Sequence, residues 1–332
     1  MLFGQNIKYP KFVLVQFMQG KTFGNPRTTL MTNKQMIDGV LVVDKPRGVT
    51  SFDVVRQVRR LFGQKKVGHA GTLDPSVAGV LVVALGKATK LIDELQTRPK
   101  RYIGEITLGF ATETEDLDGA VIARKTIDTP IATTTIDAAI KVLNGAIKQI
   151  PPMYSAVKVN GRRLYDYARA GEIVMRPERD AMIYDFHRTS DVNFENNVQK
   201  FNFEATVSKG TYIRTLASDT GKALDIPATM TSLTRTMGSG FTLIQAHDLT
   251  EVEKLAPDDL LQIIVPIKDI LTWPTHILSD DEWFAVKNGQ KIAHWEPSTN
   301  FKQLYYNDKL KAVYQYDNSE QVWRSRYVFD NQ

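Results

Sequence analysis

The stretch "GHAGTLDPSVAG", residues 68–79, sets one imidazole, His69, and one carboxylate, Asp74, among small and apolar side chains. A carboxylate so placed can act as a nucleophile or a general base if something keeps it ionised. Burial alone raises its pKa, and a nearby guanidinium lowers it again. Pro75 biases Asp74 away from the helical region. Gly68, Gly71 and Gly79 permit close approach by a large ligand. The loop itself offers Asp74 no positive neighbour, and Arg214, in "SKGTYIRT", is a candidate partner. An Asp-Pro pair also opens ordinary turns, and a lone histidine also serves as a cap or a core-edge side chain.

Other familiar chemistries fail on spacing. "GVLVVALGKAT" lacks two residues of a phosphate-binding P-loop, with Leu81 where a glycine is needed and Ala88 where Ser or Thr is needed. "TETEDLDG" fails as a calcium loop, with Thr114 at its first ligand position and Lys125 at its last. "GSGFTL" has Leu243 in place of the third glycine of a dinucleotide fingerprint. The five histidines (His69, His187, His247, His276, His294) show no HExxH spacing, which argues against a catalytic zinc. No G-x-S-x-G elbow occurs, and there is no cysteine. The site is therefore expected to be metal-free, cofactor-free and built on a carboxylate, or else absent.

The elements that must position these residues read as α+β. Val40–Val43 is a β-branched run and predicts a buried strand. Ser51 can cap a helix reaching about Phe62, with Val54, Val55, Val58 and Leu61 on one face. Arg56, Arg59 and Arg60 fall mostly off that face, as a solvated surface or a phosphate-facing strip. Strands are predicted over Val80–Leu85, Tyr102–Leu108 and Phe201–Val207, the last alternating apolar and polar. Helices are predicted over Lys87–Leu95, Ile136–Leu143, from about Ile213 to Ala223, and Leu249–Ile264. The end of the chain, with an Asn307-Asp308 turn, reads as a small β module.

The length of 332 residues suggests about two domains. The formal net charge of +5 is carried by the first 35 residues, which hold five basic side chains and no acid. The remainder is balanced, so the basic pI says little about a partner. Locally, Asp44–His69 holds seven basic residues against two acids, and Glu251–Gln332 holds nine against thirteen. No apolar run spans a membrane and no signal peptide is evident. Residues 1–35 read as a poorly ordered extension, and a strand opens just after Met36. The lack of cysteine fits a reducing, cytoplasmic setting.

Six segments occur in order: "GVLVVDKPRGVTSFDVV", "GHAGTLDPSVAGVLVVALGKATKL", "KRYIGEITLG", "TETEDLDG", "PPMYSAVKVNGRRLYDYARAG" and "SKGTYIRTLASDTGKAL". Together they resemble the bacterial TruB family, tRNA pseudouridine synthases acting at uridine 55 of the T arm. The resemblance spans about residues 36–250. It implies a pseudouridine-synthase fold, a mixed β-sheet flanked by helices with a central cleft, and an RNA-clamp insert at about 150–180. Residues 251–274 are then a connecting helix and linker, and 275–332 occupy the place of a small PUA-like β module, on a weaker match.

What the resemblance implies for the site is specific. Asp74 is the catalytic aspartate of a reaction that detaches uracil from its ribose, rotates it and rejoins it through carbon 5, with no cofactor. Arg214 pairs with that acid. Tyr102 stacks on the base and serves in proton removal at carbon 5. Lys45 and Pro46 form a Lys-Pro motif that shapes the site floor. Tyr212 and Leu233 lie near the base, Asp116 belongs to a substrate-contacting acidic loop, and His69 meets the disturbed T loop. The target nucleotide must flip out of its folded loop. Arg162, Arg163 and Arg169 are expected to meet phosphates, with Tyr165 or Tyr167 stacking on bases. The implied partner is the T arm of tRNA, read by a monomer without a protein partner. Alternatives are the guide-RNA-dependent relative, disfavoured by "VKVNGRRLYDYARAG", and a tRNA-binding folding chaperone without chemistry.

Overall fold

The computed structural model describes residues 36–332. The expected extension over residues 1–35 lies outside the described residues. Strand β1 (Gly39–Lys45) buries Leu41 and Val43 in one apolar cluster and Val40 and Val42 in another. It is covered on both faces, which is why an unbroken apolar run, Val40–Val43, encodes it. Strand β3 (Ala78–Leu85) lies antiparallel to β1 and repeats the pattern, Leu81 and Val83 to one side, Val80 and Val82 to the other.

These strands belong to a mixed twelve-stranded sheet. Its path runs from His247–Asp248 through β1, β3, Ala228–Gly238, β4 (Lys100–Leu108), Val198–Val207 and Arg179–Arg188 to Gly145–Gln149. Strand β2 (Val67–His69) pairs with β3, so the loop carrying Asp74 is the connection between two neighbours in the sheet. Gly79 is required there. Its φ is +107°, and a Cβ at this position would stand 2.2 Å from the Arg235 carbonyl oxygen of the adjoining strand.

Helix α1 (Ser51–Leu61) buries Val54, Val55 and Val58 as expected, but Ser51 is not its cap. Thr50 is the N-cap. Its hydroxyl accepts from the Asp53 amide, and the Asp53 carboxylate accepts from the Thr50 amide. Asp53 stands three residues after Thr50 and completes a capping box that Ser51 has no partner to form. The hydroxyl of Ser51 is thereby free to bond the Asp74 loop.

The helix expected over Leu249–Ile264 is broken into Leu249–Val252 and Pro257–Gln262, followed by Ile267–Ile270. Pro257 is the cause. It cannot donate to the preceding turn, and it holds Ala256 extended at ψ 156°. The segment Lys87–Leu95 likewise divides into a tight 3-10 turn, Gly86–Leu91, and a short α-helix, Ile92–Thr97.

A second, four-stranded sheet joins Thr275–Ile277, Phe301–Tyr306, Lys309–Asp317 and Val322–Val328. Asn307 and Asp308 both take positive φ in its first hairpin, the twist that a two-residue turn demands. Val313, Tyr327 and Phe329 of this region share an apolar cluster with Val40, Val80 and Val82, so the small sheet rests on the outer face of β1 and β3. No helix among the described residues is long and apolar enough to cross a membrane.

Candidate active site

The Asp74 loop is fixed from below by its own neighbours. Leu73 and Val77 are buried on either side of Asp74. The Ser51 hydroxyl donates to the Leu73 carbonyl at 3.1 Å and accepts from the Leu73 amide at 2.9 Å. The Gly48 amide donates to the Pro75 carbonyl at 2.8 Å. Lys45 is fully buried, and its ammonium donates to the carbonyls of Pro46, Val49 and Pro75. Burial pushes the Lys45 pKa down to about 8 against the opposing pull of Asp74. The lysine therefore holds turn carbonyls together and has no surface to offer a ligand, so it is not the substrate-contacting residue that the resemblance implies. Pro46 is exposed beside it.

Above this floor the Asp74 carboxylate, 44% exposed, forms an ion pair with Arg214 at 3.1 Å. The guanidinium is itself only 8% exposed. It is held by the Thr114 carbonyl at 2.9 Å and the Tyr154 carbonyl at 3.1 Å, and it lies 3.5 Å from Asp116. One side chain thus ties the Asp74 loop, the acidic loop and the Tyr/Arg-rich segment together. Arg214 can do this because it is the second residue of the helix Ile213–Ala223, whose start is clamped. The Gln149 amide group bonds both the amide and the carbonyl of Tyr212, at 2.9 and 3.2 Å.

The acidic loop is buried on purpose-built contacts. The Asp116 carboxylate accepts from the Thr114 hydroxyl at 2.5 Å and the Asp118 amide at 3.0 Å. Burial raises its pKa, and the Thr114 bond and Arg214 oppose that rise. Glu115 takes a positive φ of 62° and accepts from the Thr215 hydroxyl at 2.9 Å. Burial also raises its pKa, opposed first by that bond. A cleft of about 420 Å³ opens here, lined by Asp116, Leu117, Leu233, Pro75, Ser76 and Arg47, among others. That volume accommodates a small organic ring system such as a nucleoside.

Tyr102 is buried on β4 in the apolar cluster that holds Leu73, Val77 and Leu233. Its cross-strand partner is Arg235. His69 ends β2 opposite Val83, and burial lowers its pKa, helped by the Arg235 charge. The three arginines of the expected clamp lie apart from this cluster. Arg162 and Arg163 form one strand of a small hairpin, and Arg169 ends the helix Leu164–Arg169. Arg162 is engaged with Glu172 at 2.8 Å and lies 4.5 Å over the Tyr167 ring. Arg169 lies 4.7 Å over Tyr165. The segment reaches the site through Tyr154, whose hydroxyl donates to Glu113 at 2.8 Å.

Sequence reasoning missed Arg235, Gln149 and Glu115. Arg235 is 2% exposed and donates to the carbonyls of Val80 (2.8 Å), Gly71 (3.1 Å) and Thr72 (3.4 Å). It braces the loop from behind. The available signal was parity: Arg235 follows Leu233 by two on a strand and so shares its inward face. Among the described residues, Asp185, His187 and Glu204 also cluster as possible metal ligands, with Arg101 3.7 Å from Glu204.

Residues 59–213 match the family model described as TruB family pseudouridylate synthase (N terminal domain). A protein named tRNA pseudouridine synthase B from Lactiplantibacillus plantarum is 45% identical over 304 residues, covering 89% of this chain and 99% of that protein. Its namesake from Pediococcus pentosaceus is 45% identical over 290 residues, covering 86% and 96%. Among solved structures, a Cbf5-Nop10-Gar1 complex contains a chain that is similar at a TM-score of 0.64 and 24% identity, covering 88% of this chain and 84% of that one. An H/ACA RNP bound to a substrate RNA containing 2'-deoxyuridine gives 0.63 and 22%, covering 88% and 85%. At these identities the structural likeness speaks for the fold.

Proposed function

This chain belongs to the TruB family of pseudouridylate synthases, and on that premise we propose that it isomerises uridine 55 in the T arm of tRNA to pseudouridine, with Asp74 as the catalytic residue. The enzyme class follows from the family, as does the pseudouridine-synthase fold. The substrate and the residue roles are our reading. One observation carries it: a half-exposed carboxylate directly before Pro75, Ser76 and Val77, which line a nucleoside-sized cleft, paired at 3.1 Å with a buried arginine brought from a distant helix.

The chemistry asks for few groups. The bond between ribose carbon 1' and uracil nitrogen 1 breaks, the base turns, and carbon 5 bonds to carbon 1' in its place. A proton then leaves carbon 5, and nitrogen 1 gains one. Asp74 assists the first step either by attacking the anomeric carbon or by removing a ribose proton to form a glycal. Arg214 stabilises its charge and fixes its direction. Tyr102 stacks against the base and serves in the proton removal. Leu233 and Tyr212 flank the base. Asp116, 3.5 Å from Arg214, helps to hold it in register.

The target sits in a folded RNA loop, so it must flip out at a cost of about a few kcal/mol. The hairpin and helix bearing Arg163, Arg169 and Tyr165 offer charge and stacking for the displaced arm. The test is direct. Purified protein is incubated with an unmodified tRNA transcript and no guide RNA, and pseudouridine is mapped by position. Product at position 55 is expected. Its absence, with folded protein and intact RNA, overturns the reading and favours a guide-dependent or purely RNA-binding role.

A further inference from the structure

Arg47 stands in the turn after β1 and is exposed. It is the one cationic side chain among the residues described as lining the cleft. Its guanidinium donates to the Ser76 carbonyl at 2.7 Å and to the Thr234 hydroxyl at 3.4 Å. An arginine carries five N–H donors in a fixed fork, so most of them are unclaimed. Among the described residues no carboxylate lies within ion-pair distance of it. A lone guanidinium at a cleft mouth, neither buried nor neutralised, is a site for an oxyanion.

Its position is set rather than loose. The turn that carries it is stitched to the catalytic loop by the Gly48 amide and the Lys45 ammonium, both on the Pro75 carbonyl. The Ser76 bond adds a third tie, two residues from Asp74. Arg47 and Asp74 therefore keep their relation when a ligand arrives. The same lining includes Asp116 and Asp118. Asp116 is occupied by Arg214 and Thr114, whereas Asp118 leaves negative charge there. The lining thus holds one cation, Arg47, and the two carboxylates Asp116 and Asp118.

We propose that Arg47 is a phosphate anchor: it binds a backbone phosphate of the RNA next to the nucleotide that enters the cleft, and so sets which way the strand runs across Asp74. This rests on the RNA-modifying reading above. Planar, bidentate N–H pairs suit phosphate oxygens, which a lysine at the same place meets only as a point charge.

The experiment compares wild type, Arg47→Gln and Arg47→Lys as full-length proteins on a transcribed T-arm hairpin, with KM and kcat measured across a salt series. Arg47→Gln is expected to raise KM about tenfold, in line with losing a hydrogen-bonded charge, with a smaller change in kcat. Its plot of log KM against log salt is expected to be shallower by about 0.7–0.9, one phosphate contact. Arg47→Lys is expected to keep the wild-type slope while still raising KM. Thermal unfolding of each variant verifies folding, and the lysine variant carries the test if the glutamine variant fails to fold. Wild-type KM and slope in Arg47→Gln, or wild-type KM in Arg47→Lys, overturns the anchor. Failure of the wild type itself to convert the hairpin strikes the functional reading instead.

Discussion

Asp74 and Arg214 form an unequal pair. Their charges approach to 3.1 Å, but the arginine is 8% exposed and the aspartate 44%. The arginine is anchored by carbonyls of Thr114 and Tyr154. Its place does not depend on Asp74, whereas the orientation of the carboxylate depends on it. The arginine is a fixed electrostatic support, and the carboxylate it orients faces solvent.

Asp74→Asn keeps the shape of the side chain and removes its charge and basicity. Pseudouridine formation is expected to fall by at least about a hundredfold, the lower range for a positioned acid-base group. Affinity for tRNA is expected to stay near wild type, because the half-exposed carboxylate is not part of the buried loop framework. Single-turnover assays and filter binding on the same preparation read the two effects separately. Unimpaired turnover would remove Asp74 from the mechanism, and lost binding would make it a structural residue.

Arg214→Lys retains a charge but not the fork. A single ammonium cannot reach Asp74, Asp116 and the carbonyls of Thr114 and Tyr154 together. Asp116, 7% exposed, is left short of its counter-charge. Breaking a buried pair by losing one partner costs about 3–5 kcal/mol, and the partial replacement by lysine is expected to cost less than Arg214→Met. Activity is expected to drop in both. Urea unfolding with parallel kinetics checks this, and wild-type turnover in Arg214→Lys would show that the multi-point geometry is unnecessary.

The Asp74–Arg214 relation was legible in the sequence because both residues sit in dense, recognisable segments and carry opposite charge. The core strands were legible because short, unbroken apolar runs rich in valine have few other uses. The partners of Gln149 and Arg235 were not legible, even though strand parity marked Arg235 as inward-facing: both bind backbone atoms of distant segments, and a carbonyl leaves no mark on residue type. The cap of α1 was misplaced by one residue because Thr50 and Ser51 are chemically interchangeable there, and only Asp53 decides between them. The break at Pro257 carried an explicit signal, the missing donor, which apolar spacing across Leu249–Ile264 obscured.

Arg235→Met tests the hidden brace. The substitution leaves the carbonyls of Val80, Gly71 and Thr72 without the bonds they receive from Arg235, inside a region where that side chain is 2% exposed. At about 1–3 kcal/mol for each buried group left unsatisfied, with some relaxation, a loss of about 3 kcal/mol is expected. The loop it supports carries Asp74, so kcat should fall more than KM rises. Arg235→Lys should restore a part of both. Equal stability of Arg235→Met and wild type in urea would show that other donors replace it.

Lys45 gives a pH test with a defined sign. Its pKa is about 8 in the folded chain against 10.5 for the free side chain, because burial disfavours the ammonium. Below about pH 8 both folded and unfolded states hold the proton, and the folded state bears the full cost of the buried charge. Between about 8 and 10.5 the folded state has released the proton and the unfolded state still binds it. Stability from this group therefore rises with pH across that window and is level above it. Lys45→Met lacks the titration. The difference in unfolding free energy, wild type minus variant, is expected to grow from about pH 7.5 to pH 10. Lys100, also pushed down to about 8 chiefly by burial, is present in both proteins and cancels in the difference. Urea midpoints of the two proteins over that range provide the measurement, and parallel curves would mean that Lys45 keeps its proton on the carbonyls of Pro46, Val49 and Pro75 throughout.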